Sequence, residues 1–395
     1  MPKRPDQTAG RRFQSSRRGG SAPFDAGNER FRAAVRRFVA RDITPRVPAW
    51  ERAARFPSGA LIACGRRGYL ALNPARSAIL AEELVRCESL GVALSVFVQA
   101  GLIAPLLDRW GTPEQKQRLL SRLHTGRAIG ALAVTEPGAG SDIDGLQATA
   151  AVLQPRTKRA GAQLVLNGEK TYITCATAAD FLIVAARVTE NGKADADVSL
   201  VIVATHARGV RVTPLHPHGL ETTAMGRISL RACRVPLDSI LGKRGDGHGY
   251  ILDALNRERL YGGIGAVAWA ERALEKTAVF LRARRAFGRQ LSRYQAVRHQ
   301  LADCATALAA ARHLNYAAYQ LWIAGDPAMG DIAMVKLFSY SEAQRAIELC
   351  LQLHGGLGYM GDHWTSQWCR DARALTIAAG TPEVMRDLIA AHLRL

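Results

Sequence analysis

The chain has 395 residues, 48% of them hydrophobic, and carries 53 basic against 34 acidic side chains for a formal net charge of +19. That length suggests two or three domains, and the hydrophobic share allows a large core and excludes global disorder. Seven cysteines (Cys64, Cys87, Cys175, Cys233, Cys304, Cys350 and Cys369) lie scattered with no Cys-x-x-Cys, which argues against a disulfide framework or a structural zinc and for a reducing, cytoplasmic setting.

The first 22 residues set Lys3, Arg4, Arg11, Arg12, Arg17 and Arg18 against Asp6 alone, among Pro, Gly and Ser, and read as a disordered basic tail. No apolar stretch follows them, so no signal peptide is expected. The remaining chain is still strongly basic and should attract polyanions: a phosphate-rich cofactor or substrate, or an acidic partner protein. A nucleic-acid binder would interleave its basic residues with aromatics, which make up only 6% here, so no nucleic-acid partner is expected. The apolar stretch Gly262–Ala270 is about half of the ~18 residues a membrane span needs, and no longer run is read in the chain.

From residue 23 to 130 the pattern is helical. Ile79, Leu80, Glu83, Leu84 and Cys87 share a helical face, and Thr112-Pro113-Glu114-Gln115 has the form of an N-cap followed by proline at the first helical position. From 131 to 240 the period changes. Gln163–Leu166 ends at Asn167-Gly168, a hairpin-turn signal, and the runs Phe181–Val188 and Val198–Ala204 flank Asn191-Gly192. Gly209–Leu215 and Ile228–Val235 continue the alternation, predicting a β-barrel or sandwich. From 241 to 395 the helical period returns in alanine-rich segments at 262–281, 294–325 and 328–353, long enough for a four-helix bundle. The predicted class is therefore α+β: helical domain, β domain, helical bundle. The glycines of Gly245-Asp246-Gly247-His248-Gly249 follow a loop rather than a strand, so the dinucleotide-binding fingerprint is not met. His216-x-His218 lacks acidic or cysteine companions at ligand spacing, and no metal site is expected.

Five segments carry a resemblance. Val134-Thr135-Glu136-Pro137-Gly138-Ala139-Gly140-Ser141-Asp142 is similar to the flavin-contact signature of the acyl-CoA dehydrogenase family. Asn167–Thr174, Arg284–Arg289, Gln352–Met360 and Arg370–Arg373 agree with that family in order and spacing. The resemblance covers about residues 25–393, with the basic tail and an insertion near Gln154–Gly161 outside it.

The resemblance implies FAD as cofactor. Glycines in the first segment let backbone N–H groups approach anionic oxygens, and Thr135 and Thr174 would donate to the flavin edge. Leu132, Val134, Gly140, Ser141, Tyr172 and Ile173 are the other expected contacts from this domain. Arg284, Phe287, Gln295, Gln352, Gly355 and Gly356 would reach FAD in a neighbouring subunit, which implies a homo-oligomer, by analogy a tetramer; Thr381 and Glu383 complete the set. The reaction expected is removal of a proton from Cα and a hydride from Cβ of an acyl thioester, as in fatty acid metabolism, with electrons passing to an electron-transfer flavoprotein. Many family members place the base just before a C-terminal Gly-Thr. Here that segment reads Ala378-Ala379-Gly380-Thr381, and Ala379 cannot accept a proton. In the long-chain and isovaleryl branches the base projects from an earlier helix, in a segment similar to Leu255–Leu260, where Glu258 matches. Glu258 is therefore the expected base, with its pKa raised by burial. Ala379 would still offer its backbone N–H to the thioester carbonyl. Arg259, Asn256, Ser141 and Gly380 are expected around the CoA moiety, and Gln99, Ala100 and Ile103 resemble pocket-lining positions. A flavin monooxygenase or oxidase, or a dehydrogenase acting on a carrier-protein-bound acyl group, remains open.

Overall fold

The structure, a computed structural model, describes residues 24–154 and 161–395. The expected basic tail and the core of the insertion near Gln154–Gly161 lie outside the described residues.

The N-terminal region is helical, with main helices Ala26–Phe38, Ser58–Arg66, Pro74–Leu84, Leu90–Phe97 and Pro113–His124. Thr112 closes a full capping box: its hydroxyl accepts from the Gln115 N–H while the Gln115 side chain accepts from the Thr112 N–H. The sequence reading missed one apolar run. Leu90–Trp110 forms a 21-residue helical stretch apolar enough to cross a membrane. Most of it, 78% of its most apolar window, is buried inside the protein, packed against the sheet core on one side and the helical core on the other. A π-helical turn at Val98–Ile103 interrupts it.

The middle region is one mixed sheet of eight strands, β1 (Gly130–Ala133), β2 (Thr149–Leu153), β3 (Gln163–Ile173), β4 (Phe181–Glu190), β5 (Lys193–Ala204), β6 (Val210–Pro214), β7 (Gly226–Pro236) and β8 (Ile240–Leu241). Seven of them run in the order β6-β7-β3-β2-β4-β5-β8, and β1 pairs with β4 off that path. β1 and β2 both run parallel to β4. The turn at Asn191-Gly192 is the expected hairpin, with both residues at positive φ (51° and 77°). Asn167-Gly168 is not a turn: β3 runs through it. The pair forms a bulge against β7, where the Asn167 side-chain oxygen accepts from the Ala232 N–H at 2.8 Å.

The C-terminal region holds the helices Gly247–Ala283, Gln295–Ile323, Met329–His354, Trp364–Leu375 and Pro382–His392. The N- and C-terminal helices share one core. Val35, Leu84 and Val96 pack in the same cluster as Trp269, Ile347 and Trp368. The sheet has its own core around β4 and β5, so the interface between the two helical regions is free to carry a cavity.

Candidate active site

That cavity opens to solvent and, with the space at its mouth included, spans about 790 Å³. Helix Pro74–Leu84 lines it with Leu80 and Leu84, helix Leu90–Phe97 with Ala93, Leu94 and Phe97, helix Trp364–Leu375 with its last residue, Leu375, and the turn after that helix with Ala378 and Ala379. Helix Gly247–Ala283 contributes Glu258, Tyr261, Gly262, Gly265 and Ala266, whose spacing puts them on one face. A Cβ at Gly262 would lie 2.0 Å from the Tyr340 hydroxyl oxygen, so only glycine admits that ring against the wall. Glu258 is the one carboxylate among the lining residues.

The Glu258 side chain makes no hydrogen bond and no close ion pair among the described residues. It is half-buried and lines the cavity. Burial raises its pKa, and the cations Lys336 and Arg259 pull it back down. Tyr340 donates to the backbone carbonyls of Glu258 and Arg259, 3.2 Å from each, which fixes the helix turn that carries the carboxylate.

Across the cavity, Ala379 sits at φ 57°, a left-handed conformation a non-glycine residue adopts only when its surroundings hold it there. Arg259 is what holds it: its Nε donates to the Ala379 carbonyl at 2.8 Å, and its Nη1 donates to Asn256 Oδ1 at 3.0 Å. The Ala379 N–H has no acceptor among the described residues. A half-buried donor with no partner, on a residue that lines the same cavity as an unpaired carboxylate, suits a carbonyl oxygen. Arg259 itself is only 4% exposed, and its two bonds turn it inward. Through these bonds Arg259 and Asn256, both expected near the CoA moiety, brace the cavity wall at Ala379. Gly380 packs behind that wall, where a Cβ would meet Met385 at 2.7 Å and Arg259 at 3.1 Å.

The expected flavin-edge residues come from β1, β3 and the loop after β1. A buried ion pair pins that loop: Lys170 Nζ lies 2.7 Å from Glu136 Oε1, and Glu136 also accepts from the N–H groups of Gln147 and Ala148. Leu132, Val134 and Thr135 are half-buried, Ile173 is buried, and Gly140 and Ser141 are exposed. The hydroxyls of Thr135 and Thr174 have no partner among the described residues. Tyr172 stands at φ 57°, 66% exposed, where the β3–β7 register breaks between Lys170 and Ile173. A Cβ on Gly138 would meet nothing within 4 Å. Free hydroxyls, an open glycine surface and an exposed, strained aromatic fit a flavin and its phosphates.

The second expected set gathers at one end of the bundle. Arg284 follows helix Gly247–Ala283, Phe287 tops the short hairpin Arg285–Gln290, Gln295 begins the next helix, Gln352 lies in the last turn of the helix after that, Met329–His354, and Gly355 and Gly356 follow it directly. All six are exposed, Phe287 at 96%. Arg284 follows Glu258 by 26 residues along one helix, about 39 Å, beyond the reach of one dinucleotide bound beside Glu258. Thr381 caps the helix Pro382–His392, and Glu383 is held below the usual carboxylate range by hydrogen bonds with its own N–H and the Thr381 hydroxyl.

Gln99, Ala100 and Ile103 are absent from the wall. The Gln99 amide instead clasps Gly130, accepting from its N–H at 2.8 Å and donating to its carbonyl at 3.0 Å, which ties the π-helical turn to β1. Sequence reading also passed over Lys336, Tyr340, Glu136 and Lys170. Glu136 and Lys170 stood inside recognised segments; Lys336 and Tyr340 had no local signal.

Three family models match in register with the three regions: the acyl-CoA dehydrogenase N-terminal domain over residues 26–127, the middle domain over 131–233 and the C-terminal domain over 245–394. The mouse mitochondrial long-chain specific acyl-CoA dehydrogenase is 30% identical over 384 residues, covering 94% of this chain and 87% of that one. The crystal structure of acyl-CoA dehydrogenase from Geobacillus kaustophilus superposes with a TM-score of 0.88 at 30% identity, covering 94% of this chain and 99% of the other. A glutaryl-CoA dehydrogenase from Mycobacterium smegmatis in complex with FADH2 gives a TM-score of 0.83 at 25% identity, covering 94% and 95%. With every domain matched in order over nearly the whole chain, the protein belongs to the acyl-CoA dehydrogenase family and is an oxidoreductase of that family.

Proposed function

We propose that the protein binds FAD and oxidises an acyl-CoA to the trans-2-enoyl-CoA, with Glu258 as the base. The observation that carries this reading is the pairing of an unbonded carboxylate and an unbonded backbone N–H on one apolar cavity. The cavity takes the acyl chain, whose burial favours binding by about 0.8 kcal/mol per methylene. The Ala379 N–H donates to the thioester carbonyl, so negative charge developing on that oxygen during Cα–H cleavage is stabilised. Glu258 accepts the α-proton onto its carboxylate oxygen. Its raised pKa narrows the gap to the weakly acidic α-carbon, and the absence of hydrogen bonds leaves both lone-pair edges free to approach it. Bound flavin supplies the acceptor for the β-hydride, which completes the double bond. Thr135, Thr174 and Tyr172 would hold the flavin ring in the same subunit. Arg284, Gln295 and Gln352 would meet the adenosine side of a cofactor in a second copy, because the helix separates them too far from their own Glu258; a homotetramer supplies that copy. An electron-transfer flavoprotein would then reoxidise the flavin, in a cytoplasmic setting.

The experiment is purification followed by reaction with a panel of acyl-CoAs. A yellow protein whose flavin extracts as FAD, and whose product is the 2-enoyl-CoA, agrees with the reading. A protein that cannot be loaded with FAD contradicts it.

A further inference from the structure

Behind the wall that carries Ala379 stands a buried lysine that the reaction as described does not use. Lys336, on helix Met329–His354, is 3% exposed. Its ammonium donates to the Leu375 carbonyl, at the start of the segment that ends in Ala379 and Gly380. It lies 3.8 Å from the centre of the Tyr340 ring, the same tyrosine whose hydroxyl holds the Glu258 turn. Leu375 and Tyr340 both line the cavity. Lys336 also borders a shallow depression with Thr376, Gly380 and Met385.

We propose that Lys336 is a positioning residue for the base: one buried cation that holds the Leu375–Gly380 wall by its hydrogen bond and sets the ionisation of Glu258 by its charge. The proposal rests on Glu258 being the base. Two cations clamp the wall, Arg259 at the Ala379 carbonyl and Lys336 at the Leu375 carbonyl, and both act electrostatically on Glu258. They differ in kind. Arg259 is always charged and forms two directed bonds, while Lys336 rests on one carbonyl and a ring face, a setting that stabilises an ammonium weakly. Burial pushes the Lys336 ammonium down to about 7, against the attraction of Glu258. This cation is therefore labile near neutrality, unlike that of Arg259.

The surroundings leave few other candidates for this control. Arg259 is on the same helix as Glu258, and Lys336 and Tyr340 face it from helix Met329–His354. The segment from Ala374 to Gly380 carries no charged side chain. On helix Pro74–Leu84, Glu82 is paired with Arg32 and Arg312, and Glu83 with Arg36, so neither acid is free to act on the cavity.

The test is the pH dependence of kcat/KM in the FAD-loaded enzyme, with one straight-chain acyl-CoA that the wild type oxidises. Lys336→Gln keeps a donor for the Leu375 carbonyl and removes the charge; Lys336→Met removes both; Lys336→Arg restores charge. Loss of the cation destabilises the Glu258 carboxylate, so the acidic limb should move up by about one pH unit or more in the Gln and Met variants. In the Arg variant it should lie at or below the wild-type position. An infrared titration of the Glu258 carboxyl band, identified by its loss in Glu258→Gln, should move in parallel without turnover. If Lys336→Met does not fold, Lys336→Gln decides. A lowered melting temperature with an unmoved acidic limb and carboxyl band would reduce Lys336 to a packing role and overturn the proposal. Glu258→Gln in the same assay separates the two readings. Wild-type turnover there overturns the base and the proposal together, whereas its loss beside an unmoved limb in Lys336→Gln overturns the proposal alone.

Discussion

A half-buried carboxylate with no partner is costly to keep, which is why Glu258 is informative. Ala379, at the position where the resemblance puts the base of many family members, has a strained φ of 57° and an N–H without an acceptor among the described residues. In a Glu258→Gln background, Ala379→Glu puts a carboxylate back on the opposite wall. We expect partial recovery of activity, confined to short acyl chains, because the new side chain occupies acyl space and crowding a wall of alanines costs about 1–3 kcal/mol. Recovery with long chains equal to short ones would refute that picture of the space. At this scale the sequence was legible where chemistry is local: Glu258 beside its arginines, Ala379 before Gly-Thr. It was illegible for Lys336 and Gln99, whose partners, Leu375 and Gly130, are fixed only when distant segments meet.

Among the elements, the helix Gly247–Ala283 does most to shape the site, and its glycines have opposite reasons. Gly262 is packed under Tyr340, whereas a Cβ on Gly249 would touch nothing within 4 Å. Replacing a helical glycine by alanine favours the helix by up to about 1 kcal/mol where space allows. Gly249→Ala should therefore raise the melting temperature. Gly262→Ala should lower it, by crowding Tyr340 and breaking its bonds to the Glu258 and Arg259 carbonyls, with a net loss on the order of 1–2 kcal/mol. Equal effects from the two substitutions, measured by thermal unfolding, would contradict the packing argument. The long strands were legible from β-branched runs, while β1 and β2 escaped notice because alanine-rich segments such as Gly130–Ala133 have no strand signature. Asn167-Gly168 misled because the dipeptide that makes a hairpin also makes a bulge. The choice is made by Ala232 on β7, not by the pair itself.

In the whole molecule, the three regions are joined by polar contacts as well as by the shared helical core. Asp371 on helix Trp364–Leu375 accepts from the Leu220 N–H, just before the segment that leads into β7, while its second oxygen has no partner. Burial raises its pKa to about 7, with the nearby Glu51 adding to the rise. A carboxyl whose folded pKa is raised binds its proton more tightly in the folded state. Its contribution is present in full below the unfolded value near 3.8 and is lost as pH rises to about 7. Asp371→Asn keeps the acceptor and removes the titration. The variant's melting temperature should gain on the wild type as pH rises from about 4 to 7, then run parallel. A constant offset across that range would contradict the raised pKa. The order of the regions could be read from a change of hydrophobic period, but the cavity could not, because it belongs to the seam between two helical regions about 170 residues apart in the chain, between helices Pro74–Leu84 and Gly247–Ala283.

The central claim, that Glu258 takes the α-proton on a flavin-loaded acyl-CoA dehydrogenase, is tested most directly by anaerobic mixing of the holoenzyme with acyl-CoA while the flavin absorbance is followed. In Glu258→Gln the flavin should still bind and its spectrum should still shift on adding acyl-CoA, but bleaching should slow by about 10²–10⁴-fold or more relative to wild type. Bleaching of Glu258→Gln at the wild-type rate would contradict the account.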